Sequence, residues 1–243
     1  MKSSAARVGK PLLPEAPADG ARPRPWPGEL GRRLAYLWWF KALGTTAFMT
    51  AFFAAYLHLL HFPVYPVTVM PLTAIDRAVG FQPWALAAYA TLWIYVALPP
   101  ALAPTLPRLF SYGWHIGALC VAGIVVFVFW PTAVPPADVD WGRYPGYALL
   151  KGIDAGGNAC PSLHVATALY SAIWLAAELR AVAAPGWLRT LSWLWCALIV
   201  FSTLATKQHV SIDVAAGTAL ALLAAALSPG LRRLRPARVA ARP

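Results

Sequence analysis

Long apolar runs alternate with short polar stretches along the chain. Six runs, residues 37–60, 84–103, 114–130, 162–179, 188–205 and 210–227, are each near the roughly 20 residues a helix needs to cross the hydrocarbon of a bilayer. They predict an all-α fold, a polytopic membrane protein with six transmembrane helices in one bundle. Residues 1–31 are rich in Pro, Ala, Gly and Arg and predict a disordered basic tail. The bundle then occupies 32–229, and 230–243 form a second basic tail. The first tail is too long and proline-broken to be the charged start of a cleaved signal peptide, so the first run reads as a true span. Pro99 and Pro100 blur the end of the second run. No internal repeat and no second domain are visible.

Composition agrees with this pattern. Hydrophobic residues make up 59% and charged residues 12% of the chain, with a mean hydropathy of +0.57. A soluble domain has no way to hide that much apolar surface. Twelve tryptophans and nine tyrosines suit the two membrane–water boundaries. The net charge of +11 could suggest nucleic acid, but the basic residues gather in the tails that flank the spans. That reads as topology and attraction to anionic membrane lipids, with no nucleic-acid partner. With both tails inside, only Arg77, Arg143, Lys151 and Lys207 of the 20 Lys and Arg fall on the outer side. Both termini are therefore expected in the cytoplasm, in the plasma (inner) membrane. The loop 131–161 and the turn at Lys207-Gln208 then face outward. The sequence sets no oligomeric state.

Three cysteines add little. Cys120 and Cys196 lie in apolar runs and Cys160 in a loop, without metal-type spacing, so no disulfide framework is expected.

The polar residues that break the pattern meet at the outer end of the last three spans. Asn158 to Ala166 turns a glycine-rich loop into an apolar helix. Pro161 suits a first helical turn, and Ser162 suits the capping position. His164 follows beside helix amides that attract anions. At the next junction, His209 and Asp213 are four apart and share a helix face. An aspartate just inside a membrane helix needs a partner, and His209 is the obvious one. The chain goes in through the fourth span and returns through the fifth, which puts both histidines at one membrane level. Two histidines with distinct roles suit phosphoryl transfer. One attacks phosphorus, and the other protonates the leaving oxygen and then deprotonates the acceptor. Helix amides, Ser162 and a cation would hold the remaining oxygens. No metal or other cofactor is expected: Asp138, Asp140 and Asp154 do not look like a cage. His58, His61 and His115 read as boundary residues.

Pro161-Ser162-Leu163-His164 and the stretch from Ser202 to Asp213 resemble the second and third signatures, P-S-G-H and S-R-x-x-x-x-x-H-x-x-x-D, of the type 2 phosphatidate phosphatase superfamily. That family includes lipid phosphotransferases, undecaprenyl pyrophosphate phosphatases and vanadium haloperoxidases. The resemblance covers roughly residues 114–227. It implies that His209 is the nucleophile, Asp213 its orienter, His164 the general acid and Ser162 a phosphate ligand. Leu163 replaces the motif glycine, and Thr203 stands where the third motif has arginine. The first motif, K-x-x-x-x-x-x-R-P, has no match. Lys207, two residues before His209, is the replacement point charge. In the outer loop the cations are Lys151 and Arg143, taken in that order. The resemblance implies a membrane phosphatase acting on a lipid phosphate or diphosphate at the outer leaflet through a phosphohistidine. Two alternatives stand beside it. One is a phosphotransferase like the inositol-phosphoceramide synthases, with a lipid alcohol as acceptor. The other is a lipid transporter or binding protein that has lost the chemistry.

Overall fold

Every apolar run becomes helix. A computed structural model describes residues 25–153 and 157–232 of the chain. The helices are α1 (Trp26–Ala35), α2 (Trp38–His61), α3 (Ala74–Ala78), α4 (Ala85–Ala90), α5 (Leu92–Ala101), α6 (Leu106–Phe129), α7 (Pro145–Ile153), α8 (Leu163–Ala181), α9 (Gly186–Ala205), α10 (Ser211–Leu227) and α11 (Pro229–Arg232). The expected six runs correspond to α2, α4 with α5, α6, α8, α9 and α10. The second run breaks at Thr91, whose backbone N–H is shared between the carbonyls of Ala87 (3.3 Å) and Ala88 (3.2 Å). α6 starts about two turns before Trp114. Its Pro107 sits in the first turn, where no backbone donor is needed.

The tail expected to be disordered through Gly31 is helical from Trp26 onward, which corrects that boundary. Pro25 and Pro27 look like breakers in the sequence. They stand at the cap and first turn, where proline starts a helix. Glu29 then bonds Arg32 and Arg33 one turn on, at 2.6 and 2.9 Å. Residues 1–24 and 233–243, which hold the rest of both expected tails, lie outside the described residues.

Three helices, α2, α6 and α9, are long and apolar enough to cross a membrane. The pair α4–α5 and α10 are shorter apolar helices. α8 is neither kind. It is the central helix, packed against α5, α6, α9 and α10 and buried nearly all round. A helix buried on every face can spend polar positions on internal partners. Glu178, near its end, accepts from Arg33 of α1 at 2.6 Å and lies 3.7 Å from Arg108 of α6. Lys41 of α2 donates beside them to the carbonyls of Arg33 (2.7 Å) and Ala101 (2.8 Å). His164 sits at the opposite end of α8, about 21 Å away by helical rise.

At the histidine end the loops are stitched together. The two-residue strands β1 (Thr68–Val69) and β2 (Thr132–Ala133) pair in parallel, and Ala133 bridges to Gly157. This joins the loop after α2, the loop after α6 and the approach to α8. Phe81 packs edge-on against Trp141, Tyr144 and Tyr147. The Tyr147 hydroxyl donates to the Gln82 and Pro83 carbonyls at 3.0 and 3.2 Å. These contacts fix α4 and α7 over the same end.

Candidate active site

α8 begins at Leu163, and Ser162 is its N-cap. The Ser162 hydroxyl accepts the Val165 N–H at 3.3 Å. Pro161 precedes the helix, joined to Cys160 by a cis peptide bond, so the expectation of a proline inside the first turn is corrected by one cap position. Thr132 holds this approach. Its hydroxyl accepts the Cys160 N–H at 2.8 Å, and its carbonyl accepts the Ala159 N–H at 3.3 Å. α10 crosses the start of α8 closely. The Ser162 N–H donates to the Asp213 carbonyl at 3.0 Å. The crossing requires Gly217, because a Cβ there would lie 2.3 Å from the Ser162 carbonyl oxygen.

Leu163, at the position of the motif glycine, packs on α6. A Cβ on Gly123 would come within 2.5 Å of its side chain. The glycine missing from the motif is matched by a glycine on the helix opposite.

The excursion through α8 and α9 brings the histidines together, as the spacing predicts. His164 Nδ1 lies 3.2 Å from His209 Nε2. His209 Nδ1 lies 3.1 Å from the Ala159 carbonyl. A carbonyl only accepts, so in the neutral imidazole the His209 proton sits on Nδ1 and a lone pair is left on Nε2. The His164 Nδ1 facing that lone pair then carries its own proton. Asp213 Oδ2 is 3.6 Å from His209 Nδ1, beyond hydrogen-bond reach, and accepts the Val210 N–H at 3.0 Å. The Ala159 carbonyl therefore fixes the tautomer, and Asp213 places a buried carboxyl beside the ring.

Two further residues belong to this cluster and carry no sequence signal. Tyr89 of α4 places its hydroxyl 2.6 Å from His164 Nε2, with the rings 4.7 Å apart. Asp76 of α3 accepts the Ser211 N–H at 2.7 Å and the Ser211 hydroxyl at 2.9 Å, holding the start of α10. It also accepts the Thr73 N–H at 2.7 Å. Burial pushes the Asp76 carboxyl up, but the bonds from Thr73 and Ser211 outweigh it and hold the carboxyl below its ordinary range. A tyrosine in an apolar run and an aspartate in a loop look ordinary. Only the packing of separate helices brings them here.

The predicted substrate residues divide. Ser162 is at the cluster, fully buried, with its hydroxyl engaged in capping. Lys207 follows α9 with a positive φ of 56° and turns its ammonium onto the carbonyls of Asp76 and Val79. Lys151 donates to the Lys207 carbonyl at 3.1 Å and lies over the Trp141 ring at 5.3 Å. The two lysines line a separate hollow of about 210 Å³ with Pro135 and Trp141. Arg143 is exposed and pairs with Asp140 at 3.1 Å. Thr203, at the position of the motif arginine, bonds the Val200 carbonyl of its own helix at 2.8 Å. Among the described residues no three His, Cys, Asp or Glu gather as a metal cage, and Asp154 lies outside those residues.

A second feature of the site is apolar. A cavity of about 670 Å³ has both histidines in its wall and runs between α2, α5, α6 and α8. Its lining on α2 extends from Leu57 to Phe40 and Lys41, a length of about 26 Å at 1.5 Å per residue. Gly44 and Gly113 leave it open, since a Cβ on either would meet nothing within 4 Å.

The model of the PAP2 superfamily matches residues 112–236, from α6 past α10 and just over half of the chain. The chain belongs to the PAP2 superfamily. This is the type 2 phosphatidic acid phosphatase superfamily that the two motif stretches resemble, and its members are phosphatases or related phosphoryl transferases. Comparisons with curated proteins and with solved structures give no significant match. Within the PAP2 match lie His164, His209, Asp213 and Ser162. Helices α2, α4 and α5, which supply Tyr89 and most of one cavity wall, lie before it.

Proposed function

We propose that this PAP2 protein is an integral membrane phosphatase. It removes phosphate from a lipid phosphate or diphosphate at the outer leaflet, through a phosphohistidine on His209. The observation that carries the reading is the apolar cavity ending on both histidines. A phosphoryl group at the rings and a hydrocarbon tail along α2 would occupy it together, as expected of a ligand site mostly apolar with a few convergent polar groups. In the assignment that follows, all six apolar segments cross the membrane, with both termini in the cytoplasm and the basic residues inside.

The hydrogen bonds set the chemistry. With its proton held on Nδ1 by Ala159, His209 offers the Nε2 lone pair to phosphorus. The 3.2 Å bond to His164 belongs to the unloaded site. Substrate enters by parting the two rings. On loading, His164 gains a second proton from solvent or from the phosphate monoanion. Nε2 of His209 attacks phosphorus, the bond to the lipid oxygen breaks, and that oxygen takes the proton from Nδ1 of His164, which is left neutral. Water then gives a proton back to His164 as its oxygen attacks the phosphohistidine, releasing phosphate. Asp213 stabilises the cationic ring that forms on His209. The Ser162 cap and first-turn amides of α8 favour the phosphoryl charge. Lys207, Lys151 and Arg143 would act as a second ring of positive potential at the entrance, since their hollow and the cavity are separate.

Transfer to a lipid alcohol is the second reading, favoured by burial. His209 is only 5% exposed, and the apolar cavity admits an alcohol lipid. Purified protein is offered phosphatidate, prenyl phosphates and phosphatidylglycerol phosphate, each with and without an alcohol lipid. Free phosphate from one class in the absence of acceptor supports hydrolysis. Turnover only with acceptor establishes the transferase. No turnover of any of them, with the protein folded, refutes both and leaves a lipid carrier.

A further inference from the structure

Among the described residues that precede the PAP2 match, the buried side chain of Tyr89 is aimed at the reacting pair. Tyr89 is 4% exposed, and its hydroxyl faces His164 Nε2 at 2.6 Å, on the side of the ring away from His209. Bond directions along this row follow from its end. The Ala159 carbonyl can only accept, so a neutral His209 donates from Nδ1 and accepts at Nε2. His164 then donates from Nδ1 and accepts at Nε2, and the donor to that nitrogen is the Tyr89 hydroxyl. Among the described residues, the titratable groups about His164 are Tyr89 and His209, with Asp213 behind His209.

We propose that Tyr89 is the positioning residue of the acid–base histidine, holding His164 by Nε2 in every protonation state of the cycle so that Nδ1 stays aimed at the reacting oxygen. This inference rests on the phosphohistidine reading above. A hydroxyl suits the task because it both donates and accepts. In the unloaded site it donates to Nε2. On loading, His164 takes up a proton, supplied by solvent or by a phosphate monoanion, and Nε2–H donates to the tyrosine oxygen. Nδ1 then loses its proton to the lipid alkoxide as the P–O bond breaks. It regains one from the attacking water, and the proton on Nε2 stays where it is. The tyrosine reverses its hydrogen bond between unloaded and loaded states and remains a neutral phenol throughout. A carboxylate in its place would favour the imidazolium alone, and a phenylalanine would hold neither form.

The test is Tyr89→Phe, which keeps the ring packing, read in single turnovers of two substrates. A long-chain alkyl phosphate has a poor leaving group that needs the acid. A long-chain p-nitrophenyl phosphate ester leaves readily without it. General acid catalysis contributes about 10²–10⁴-fold, and misplacing rather than deleting the acid should forfeit the lower part of that range. The expected result is a fall of about tenfold to a hundredfold for the alkyl phosphate. The nitrophenyl ester and both KM values stay within about threefold, a margin under 1 kcal/mol at tenfold per 1.36 kcal/mol. Adding Tyr89→Phe to His164→Ala should cost nothing more. Equal losses for both substrates would mean a structural role only, and wild-type rates for both would mean no role. Either overturns the proposal. Nitrogen NMR of labelled histidine in the unsubstituted protein adds a check that needs no variant. His164 protonated on Nδ1 in the unloaded state is expected, and protonation on Nε2 overturns the proposal. If His209→Ala still releases phosphate, the phosphohistidine reading itself has failed. If that variant is dead while Tyr89→Phe is wild type, only the role of Tyr89 has failed.

Discussion

Gly217→Ala adds one methyl group where α10 crosses the start of α8. The new Cβ would stand 2.3 Å from the Ser162 carbonyl oxygen, 3.2 Å from its carbon and 3.3 Å from the Val165 Cβ. A carbon–oxygen contact settles near 3.3–3.6 Å, so the helices must part by about 1 Å. Two of the three obstacles are backbone atoms, which cannot swing aside as a side chain can. Helix propensity favours alanine by about 1 kcal/mol. Overpacking a tight contact costs about 1–3 kcal/mol, and a backbone clash lies at the upper end. The net expectation is a loss of about 1–2 kcal/mol. Activity suffers more than stability. The same crossing carries the 3.0 Å bond from Ser162 to Asp213 and sets the 3.2 Å spacing of the histidines. A misplacement of about 1 Å at reacting groups costs on the order of a hundredfold. Gly31→Ala is the control, since a Cβ there meets nothing within 4 Å. The assay is thermal unfolding in detergent, followed by size exclusion, together with phosphate release from the accepted lipid phosphate. Unchanged melting and unchanged release in Gly217→Ala would refute the reasoning that this crossing positions the site.

The buried ion cluster at the other end of α8 gives a stability prediction. Glu178→Ala removes the 2.6 Å partner of buried Arg33, which keeps Glu29 at 2.9 Å, and should cost about 2–3 kcal/mol, seen as a clear fall in melting temperature with no change in the KM of the protein that survives. Asp76 gives a pH prediction. Its folded carboxyl lies below the ordinary range, so the stability it contributes is complete above about pH 4 and is lost as pH falls through the folded value. Melting temperature should drop on acidification toward pH 3 in the wild type, and the drop should shrink in Asp76→Asn, whose melting starts lower. An acid limb of equal size in both proteins would contradict the clamp on Ser211. Glu29, which Arg32 holds down to about 2, adds an acid loss over the same window in both proteins, so the difference between them isolates Asp76.

Legibility in the sequence followed distance along the chain. The helices of the six long apolar runs were readable from hydropathy, and His164, His209 and Asp213 because each lies in a short local pattern. The outlying contacts were not. Tyr89 sits among alanines and leucines, and nothing nearby marks its hydroxyl as bound for a histidine 75 positions on. Asp76 reads as a loop acid until the start of α10 is seen against it. Two local inferences were displaced by backbone geometry. Lys207, close to His209 in sequence, is turned to the Asp76 and Val79 carbonyls by its left-handed conformation. Pro25 and Pro27 marked a helix start where composition suggested a tail. The role of α8 was hidden for a different reason. Periodicity reports how apolar a helix is, and an apolar helix at the centre of a bundle looks much like one facing lipid.

The central claim is a covalent phosphohistidine on His209, and rapid-quench trapping with a radiolabelled lipid phosphate tests it most directly. Label should appear on the protein, survive base, fall off in acid and map to the peptide containing His209. It should be absent from His209→Ala, and it should form slowly from the alkyl phosphate in His164→Ala, where the leaving oxygen lacks its acid. Label that persists in His209→Ala, or turnover by that variant at the wild-type rate, would contradict the account.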